Sequence, residues 1–461
     1  MTKLKKLCGI TLVVCGIVGL NIVVSLAQPA GTPAAATIQQ ADPSAHLFKL
    51  GFKFQPAATC SNVKCHGAPV DAPAAGGEYV NPSFTLWNAD ATDAAPADPH
   101  RNSFKTLRSP QSQQMAKALG IANPVADASC IACHAIAPPE NLRDQAFQVA
   151  EGITCNGCHG PSGVSLTDAS YKGYNELHKE KGWVDKQRTQ FAGKHDELLK
   201  KTGLYDTRPL VARSQQCVSC HLAISPQMVA AGHPQPTFEM NWYSLIYANR
   251  HWNDPTDNYF GGKLWAAGQA AALEAALRQL ADRAGTPTVA AKDVTAAYNQ
   301  ALAHYLIFAP LFKAGGVAGD MNAVAGQLAA VQKSLADPAK RADVAKSATA
   351  AADASHKLNA AVDAWQPTKD VVMKVLAAQL AQPSMVNLGG FGIEQQRDAI
   401  FALYNAFASS ADATPADGET RDFIGQTLFP VDEAGAPINP FKVTPAQHTA
   451  AITAVKAKLK L

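Results

Sequence analysis

Charge is scarce in this sequence and has no preferred sign. Only 17% of its 461 residues are charged, and 40 basic residues against 37 acidic ones leave a formal charge of +3. Three of the basic residues, Lys3, Lys5 and Lys6, stand at the extreme N-terminus, and without them the charge is about zero. No basic stripe remains, which argues against a nucleic-acid partner. Cysteine for a structural disulfide is lacking too. Cys8 and Cys15 lie in an N-terminal apolar run, the other eight cysteines fall in four close pairs, each followed by histidine, and none occurs after Cys220. With 47% hydrophobic residues, the chain nevertheless folds and is long enough for two or three domains.

The N-terminal lysines precede an apolar run from Leu7 to Leu26, and Ser25, Leu26 and Ala27 offer small residues for cleavage. Residues 1–27 therefore read as an export signal. The run is long for such a signal and near the lower limit for a bilayer span, so an uncleaved anchor, and with it membrane association, is the alternative. Either form implies export, and the expected location is periplasmic. Residues 28–45, rich in Ala and Pro, read as a tether.

The four cysteine pairs carry the chemistry. CIACH (130–134), CNGCH (155–159) and CVSCH (217–221) have the C-x-x-C-H spacing. In that arrangement the two thiols add to the vinyl groups of haem and the histidine becomes an axial ligand of iron. On a helix advancing about 100° per residue, cysteines three apart sit about 60° apart, so one porphyrin can meet both. Zinc and a redox-active dithiol are the competing readings of a lone pair. Three such pairs, each ending in histidine, in one exported chain favour haem c on Cys130 and Cys133, Cys155 and Cys158, and Cys217 and Cys220, with His134, His159 and His221 as ligands. The first pair, CSNVKCH (60–66), has four intervening residues. Cysteines five apart would lie about 140° apart on a regular helix, so Cys60 must reach from an irregular segment while Cys65 and His66 keep their usual relation. Haem is the reading here too, against a zinc site with His66 as third ligand or an unmodified pair.

The order of these motifs resembles the multihaem c-type cytochromes related to cytochrome c-554. The resemblance rests on CSNVKCHGAP, DPHRNSFKTL (98–107), SCIACH, GITCNGCHGPSG (152–163), the Leu177-His178 pair, GLYDTRPLVARSQQCVSCH (203–221) and AGHPQPTFEM (231–240), and covers roughly residues 55–255. It implies a tetrahaem electron carrier. It also implies distal histidines: His100 for the haem of the third motif and His178 for that of the first. One haem of the resembling carrier is five-coordinate, and the haem of His134, left without a clear partner, would take that part.

For His221 the candidates are His233, constrained between Gly232 and Pro234, and His251 beside Trp252, with His233 preferred. His46 and His195 are reserves. Met115, Met228 and Met240 read as packing. His304, His356 and His448 have no cysteine pair nearby and read as structural.

From about residue 260 alanine becomes abundant and helical patterns follow one another at 265–285, 289–313, 320–336, 338–364, 367–382, 393–409 and 444–460. In the first, Leu273, Leu277 and Leu280 form one stripe with charged residues opposite. The expected fold class is mainly α: a tetrahaem c-type cytochrome domain (46–260) with little regular structure beyond short helices, followed by an α-helical bundle domain (261–461). The expected function is electron transfer between periplasmic redox partners through four covalently attached haem c groups, with no catalytic residue named. The alternative is a reductase or oxidase of a small nitrogen compound at a five-coordinate haem, with His195 or Arg143 handling protons. The bundle would dock a partner within a complex, self-associate or cover the haem region.

Overall fold

The computed structural model describes residues 42–62, 66–68, 82–90, 98–167, 173–177, 190–191, 194–244, 254–255, 258–432 and 438–461. The leader, most of the tether, Cys65, His178 and His251 lie outside them. The described residues belong to one compact unit, 38–461. The protein is mainly α. Among the described residues there is no strand, only the isolated bridges of Phe52 with Ser165 and Phe54 with Arg143.

The first half is built of short helices: α1 (Ala45–Phe48), α2 (Ser83–Asn88), α3 (Pro99–Thr106), α4 (Pro110–Leu119), α5 (Ala128–His134), α6 (Cys155–His159), α7 (Tyr174–Leu177), α8 (His195–Thr202), α9 (Leu210–His221), α10 (Pro226–Ala230) and α11 (Met240–Tyr243). Their starts follow capping rules. Asp98 and Ser109 accept bonds from the next turn, from His100 N and Ser112 N, and each is followed by a proline already fixed for the first helical position. Apolar packing here is scattered. One small cluster joins Leu47, Phe54, Ile136, Leu142, Phe147, Leu199 and Tyr205, and another joins Phe104, Leu107 and Ala135.

The second half is a helical bundle: α12 (Phe260–Gly285), α13 (Ala291–Lys313), α14 (Asn322–Ser334), α15 (Arg341–His356), α16 (Asn359–Ala364), α17 (Lys369–Leu380), α18 (Gly390–Ala408), α19 (Pro415–Leu428) and α20 (Pro445–Leu459). Two features depart from the sequence patterns. The pattern at 338–364 is two helices, broken at Lys357 and Leu358. Helix α19 has no counterpart among the expected helices, although Thr414, Pro415 and Asp417 spell a helix start and Asp417 Oδ2 accepts from Thr414 N at 2.8 Å.

Helix α12 is the central element, packed against α9, α13, α15 and α18. Leu273, Leu277 and Leu280 are fully buried as the stripe requires, but so are Trp265, Ala266, Ala272 and Ala276 on other faces. The expected charged face is a solvent face only toward the end of the helix, where Arg278 and Asp282 are exposed. Its Glu274 is only 7% exposed and bonds Arg278, His356 and Asn359. Alanine explains the deeper burial of the rest, since small side chains let neighbours close in from several sides. At Gly268 a Cβ would stand 2.6 Å from that of Met240, which is how α11 crosses α12 so closely.

The bundle core runs across residue 260. Leu210, Val211, Val218 and Leu222 of the α9 segment share one apolar cluster with α12. Val211 N donates to Asp363 at 3.0 Å, and Arg213 holds Asp254 through two bonds of 2.7 and 3.2 Å. The fourth cysteine motif, at the end of α9, is thus fixed to the bundle.

Candidate functional site

Each C-x-x-C-H motif ends a helix. Cys130, Cys133 and His134 close α5, capped by Asp127; Cys155, Cys158 and His159 make up α6; Cys217, Cys220 and His221 close α9. The first motif is built differently. Cys60 ends a 3₁₀ turn, Ala57–Cys60, and the chain then closes through Asn62 O, which accepts from His66 N and Gly67 N at 3.1 and 2.9 Å. Gly67 is demanded by this loop, because a Cβ would meet Ser61 O at 1.9 Å.

The seven described cysteines of the motifs are all half-buried. The Cys60 thiol lies beside that of Cys155, and the Cys133 thiol beside that of Cys220. Motif one therefore adjoins motif three, and motif two adjoins motif four. Burial pushes the thiols of Cys158 and Cys217 up to about 12, so both are uncharged sulfurs in this environment.

Four of the histidines stand in two facing pairs. His134 and His233 have ring centroids 6.3 Å apart with planes at 78°, and His100 and His221 have centroids 6.1 Å apart at 84°. With metal–nitrogen bonds of about 2 Å and a ring centre roughly 1.1 Å behind the nitrogen, two imidazoles on one metal have centroids about 6.2 Å apart. Both pairs have that spacing.

Hydrogen bonds orient the rings. His134 Nδ1 donates to Ser103 O and Thr106 Oγ1, both at 3.0 Å. His233 Nδ1 donates to Pro234 O at 2.7 Å. His221 Nδ1 donates to Tyr243 Oη at 3.2 Å, and that hydroxyl donates to Thr237 O at 2.8 Å. His100 Nδ1 lies 3.2 Å from Asp98 Oδ1, and His66 Nδ1 bonds Ser83 Oγ at 3.0 Å. In every case Nδ1 is the engaged nitrogen, which leaves Nε2 as the atom that would meet a metal, the usual division of labour in a ligating imidazole. Burial pushes His221 down to about 4 and lowers His134 and His66, which keeps them in the neutral form that ligation needs. These residues fit a haem: paired thiols for its edge and paired imidazoles for its two faces. Among the described residues no three His, Cys, Asp or Glu side chains converge as a bare metal ion would require.

Two expected pairings are corrected. His233 faces His134, the histidine expected to have an open side, rather than His221. His100 faces His221 rather than His159. The backbone of His100 does touch motif three, since Ile153 N donates to His100 O at 3.0 Å, but its ring projects toward the fourth motif. His178 and His251 lie outside the described residues. His46 and His195 both pack on Tyr205, whose N donates to His159 O at 2.8 Å, so the reserves sit beside motif three. Both ring nitrogens of His195 are buried without a hydrogen bond. Arg143 is structural: its Nε donates to Pro138 O and its carbonyl accepts Lys53 Nζ. His304, His356 and His448 bond Gln269, Glu274 and Gln396 inside the bundle. Sequence reasoning missed Asp98, Ser103, Thr106 and Tyr243, the groups behind the ligand imidazoles. Asp98 had a legible signal, an N-cap aspartate before proline and histidine.

Paired thiols next to histidine and facing imidazoles are the groups with which a c-type cytochrome holds its haem. Residues 91–160, which hold His100 and the second and third motifs, match the family described as cytochrome c554 and c-prime, and the chain is related to the c-type cytochromes through that stretch. Covalently bound haem c and an electron-transfer role come with that relation. No curated protein and no solved structure matches the chain.

Proposed function

We propose that this protein is an exported, periplasmic carrier of four haem c groups that passes single electrons between partner proteins. The observation that carries the reading is the pair of facing imidazoles, His134 with His233 and His100 with His221, each including the histidine of a C-x-x-C-H motif. Two imidazoles on one metal close both faces, which suits electron transfer rather than substrate binding.

Haem, when bound, supplies the one-electron couple. The chain fixes where the couples lie. Cys133 beside Cys220, and Cys60 beside Cys155, bring the attachment points into two adjoining pairs. Tyr174, buried with its hydroxyl donating to Gly160 O, packs at the first of these pairs and helps exclude water. The bundle anchors motif four through Arg213, Val211 and the shared core.

The test is a haem count with a ligand challenge. Mass spectrometry of the holoprotein is expected to show four attached haems, and low-temperature electron paramagnetic resonance is expected to show low-spin signals from motifs two and four that cyanide and nitric oxide leave unchanged. Fewer than four haems, or high-spin signals at both of these motifs, would overturn the reading.

A further inference from the structure

The two facing pairs differ in what stands behind their imidazoles. His134 and His233 donate to backbone carbonyls and a threonine hydroxyl, and His221 donates to the Tyr243 hydroxyl, all neutral acceptors. Among the described residues, His100 alone of these four meets a carboxylate, Asp98 Oδ1 at 3.2 Å from its Nδ1. The same oxygen accepts from His100 N at 2.8 Å, so the carboxylate is held in place by the helix start that it caps.

A negative charge behind a ligating imidazole raises the electron donation of the ring, and it favours the oxidised, more positive iron over the reduced one. We propose that Asp98 is a positioning residue for electron flow: it lowers the reduction potential of the haem at Cys217, Cys220 and His221 below that of its neighbour at Cys130, Cys133 and His134. One electron shared by the two then resides on the neighbour, and transfer between motifs four and two runs in that direction. No proton is moved, since Nδ1 keeps its hydrogen. The inference rests on the pairing of His100 with His221 proposed above.

Solvent screens the contact in part, because the side chains of His100 and Asp98 are 40% and 22% exposed. The expected effect of removing the charge is about a tenfold change in the reduction equilibrium, which is 59 mV for a single electron.

The experiment is a redox titration of the full holoprotein with dithionite, followed by electron paramagnetic resonance, on Asp98→Asn, Asp98→Ala and His100→Ala. Asparagine caps a helix as well as aspartate does, so Asp98→Asn removes the charge and keeps the helix start. One potential is expected to rise about tenfold in equilibrium terms, with the other three and the number of low-spin haems unchanged. The titrating signal should be the one that His100→Ala converts to high spin. No shift in Asp98→Asn, with all low-spin signals retained, would overturn the inference and leave the pairing standing. A shift only in Asp98→Ala would reduce Asp98 to a cap and also overturn it. If His100→Ala leaves every low-spin signal intact, the pairing itself fails.

Discussion

His134 and His233 face one another across 6.3 Å with ring planes at 78°. Ninety-nine residues of sequence separate them, yet each ring is held independently by its own Nδ1 bond, His134 on Ser103 O and His233 on Pro234 O. His233 is set by a turn, between Gly232 at φ +103° and Pro234, rather than by a helix.

Replacement of His233 by alanine is expected to convert one haem from low spin to high spin and to make it bind cyanide. His233 also lines a cleft of about 410 Å³ with Gln235, Phe391 and Phe441. The measurement is the optical and paramagnetic spectrum before and after cyanide. An unchanged low-spin count would remove His233 as a ligand.

The near-perpendicular rings of both pairs carry a second expectation. Perpendicular imidazoles leave the two iron orbitals that they address nearly equal in energy, so the oxidised protein should show strongly anisotropic low-spin signals at motifs two and four. Rhombic signals of the kind given by parallel rings, at both motifs, would contradict the observed planes of 78° and 84°.

The attachment chemistry and the mainly helical class were legible in the sequence because both are local. C-x-x-C-H is read within five residues, and the helices of the second half announce themselves by period, proline and caps. What was not legible is long-range direction. DPHRNSF lies against motif three through the backbone of Gly152 and Ile153, as the family order implies, but the His100 ring leaves that backbone on the other side and meets His221. His233 could not be assigned from its turn for the same reason: the turn fixes the ring, and only the fold says which iron lies before it. The one-sided reading of α12 held only for its last turns, where Arg278 and Asp282 are exposed. An alanine-rich helix looks amphipathic when only its leucines are counted, while its small residues make the remaining faces fit for burial.

Acid should weaken the bundle through His304. Its ring is 1% exposed, bonded to Gln269, and burial pushes it down to about 3. The unfolded chain binds a proton there below about 6.5 and the folded chain does not until about 3, so stability falls as pH drops through that window. Glu239, pushed up to about 8 by burial, has the opposite sign and loses stability as pH rises from about 4.5 to 8. The two slopes overlap, so the comparison must be with a variant. His304→Gln is expected to have a shallower loss of denaturant midpoint between pH 6.5 and 4 than the parent. Parallel curves would show that His304 does not contribute.

Asp254 and Arg213 make a buried ion pair with a function in assembly. Arg213 has a side chain only 6% exposed and donates two bonds to Asp254, at 2.7 and 3.2 Å, while its Nε donates to Thr207 O. Removing Asp254 takes a doubly bonded carboxylate away from a guanidinium held out of water beside the fourth motif, which costs up to about 3–5 kcal/mol. Asp254→Ala should therefore lower the thermal midpoint sharply and reduce attachment of the fourth haem, whereas Asp254→Glu should recover much of both. A variant as stable and as fully loaded as the parent would show that the pair is not what holds α9.

Gly152 is the narrowest point between motif three and the helix of His100. Its φ is +78°, and a Cβ there would stand 2.6 Å from His100 O and 2.9 Å from Ser103 Oγ. Ser103 is also the residue whose carbonyl holds His134, so one glycine touches the supports of two ligand pairs. Alanine would be strained in that backbone conformation and would push α3 away from motif three, at a cost of about 1–3 kcal/mol. Because α3 carries His100 and Ser103 together, the displacement should broaden the low-spin signals of motifs two and four at once while the haem count stays at its parental value. A change confined to one of the two motifs would mean that α3 does not move as a unit, and unaltered signals in a stable Gly152→Ala variant would show that the contact does not set the geometry of either pair.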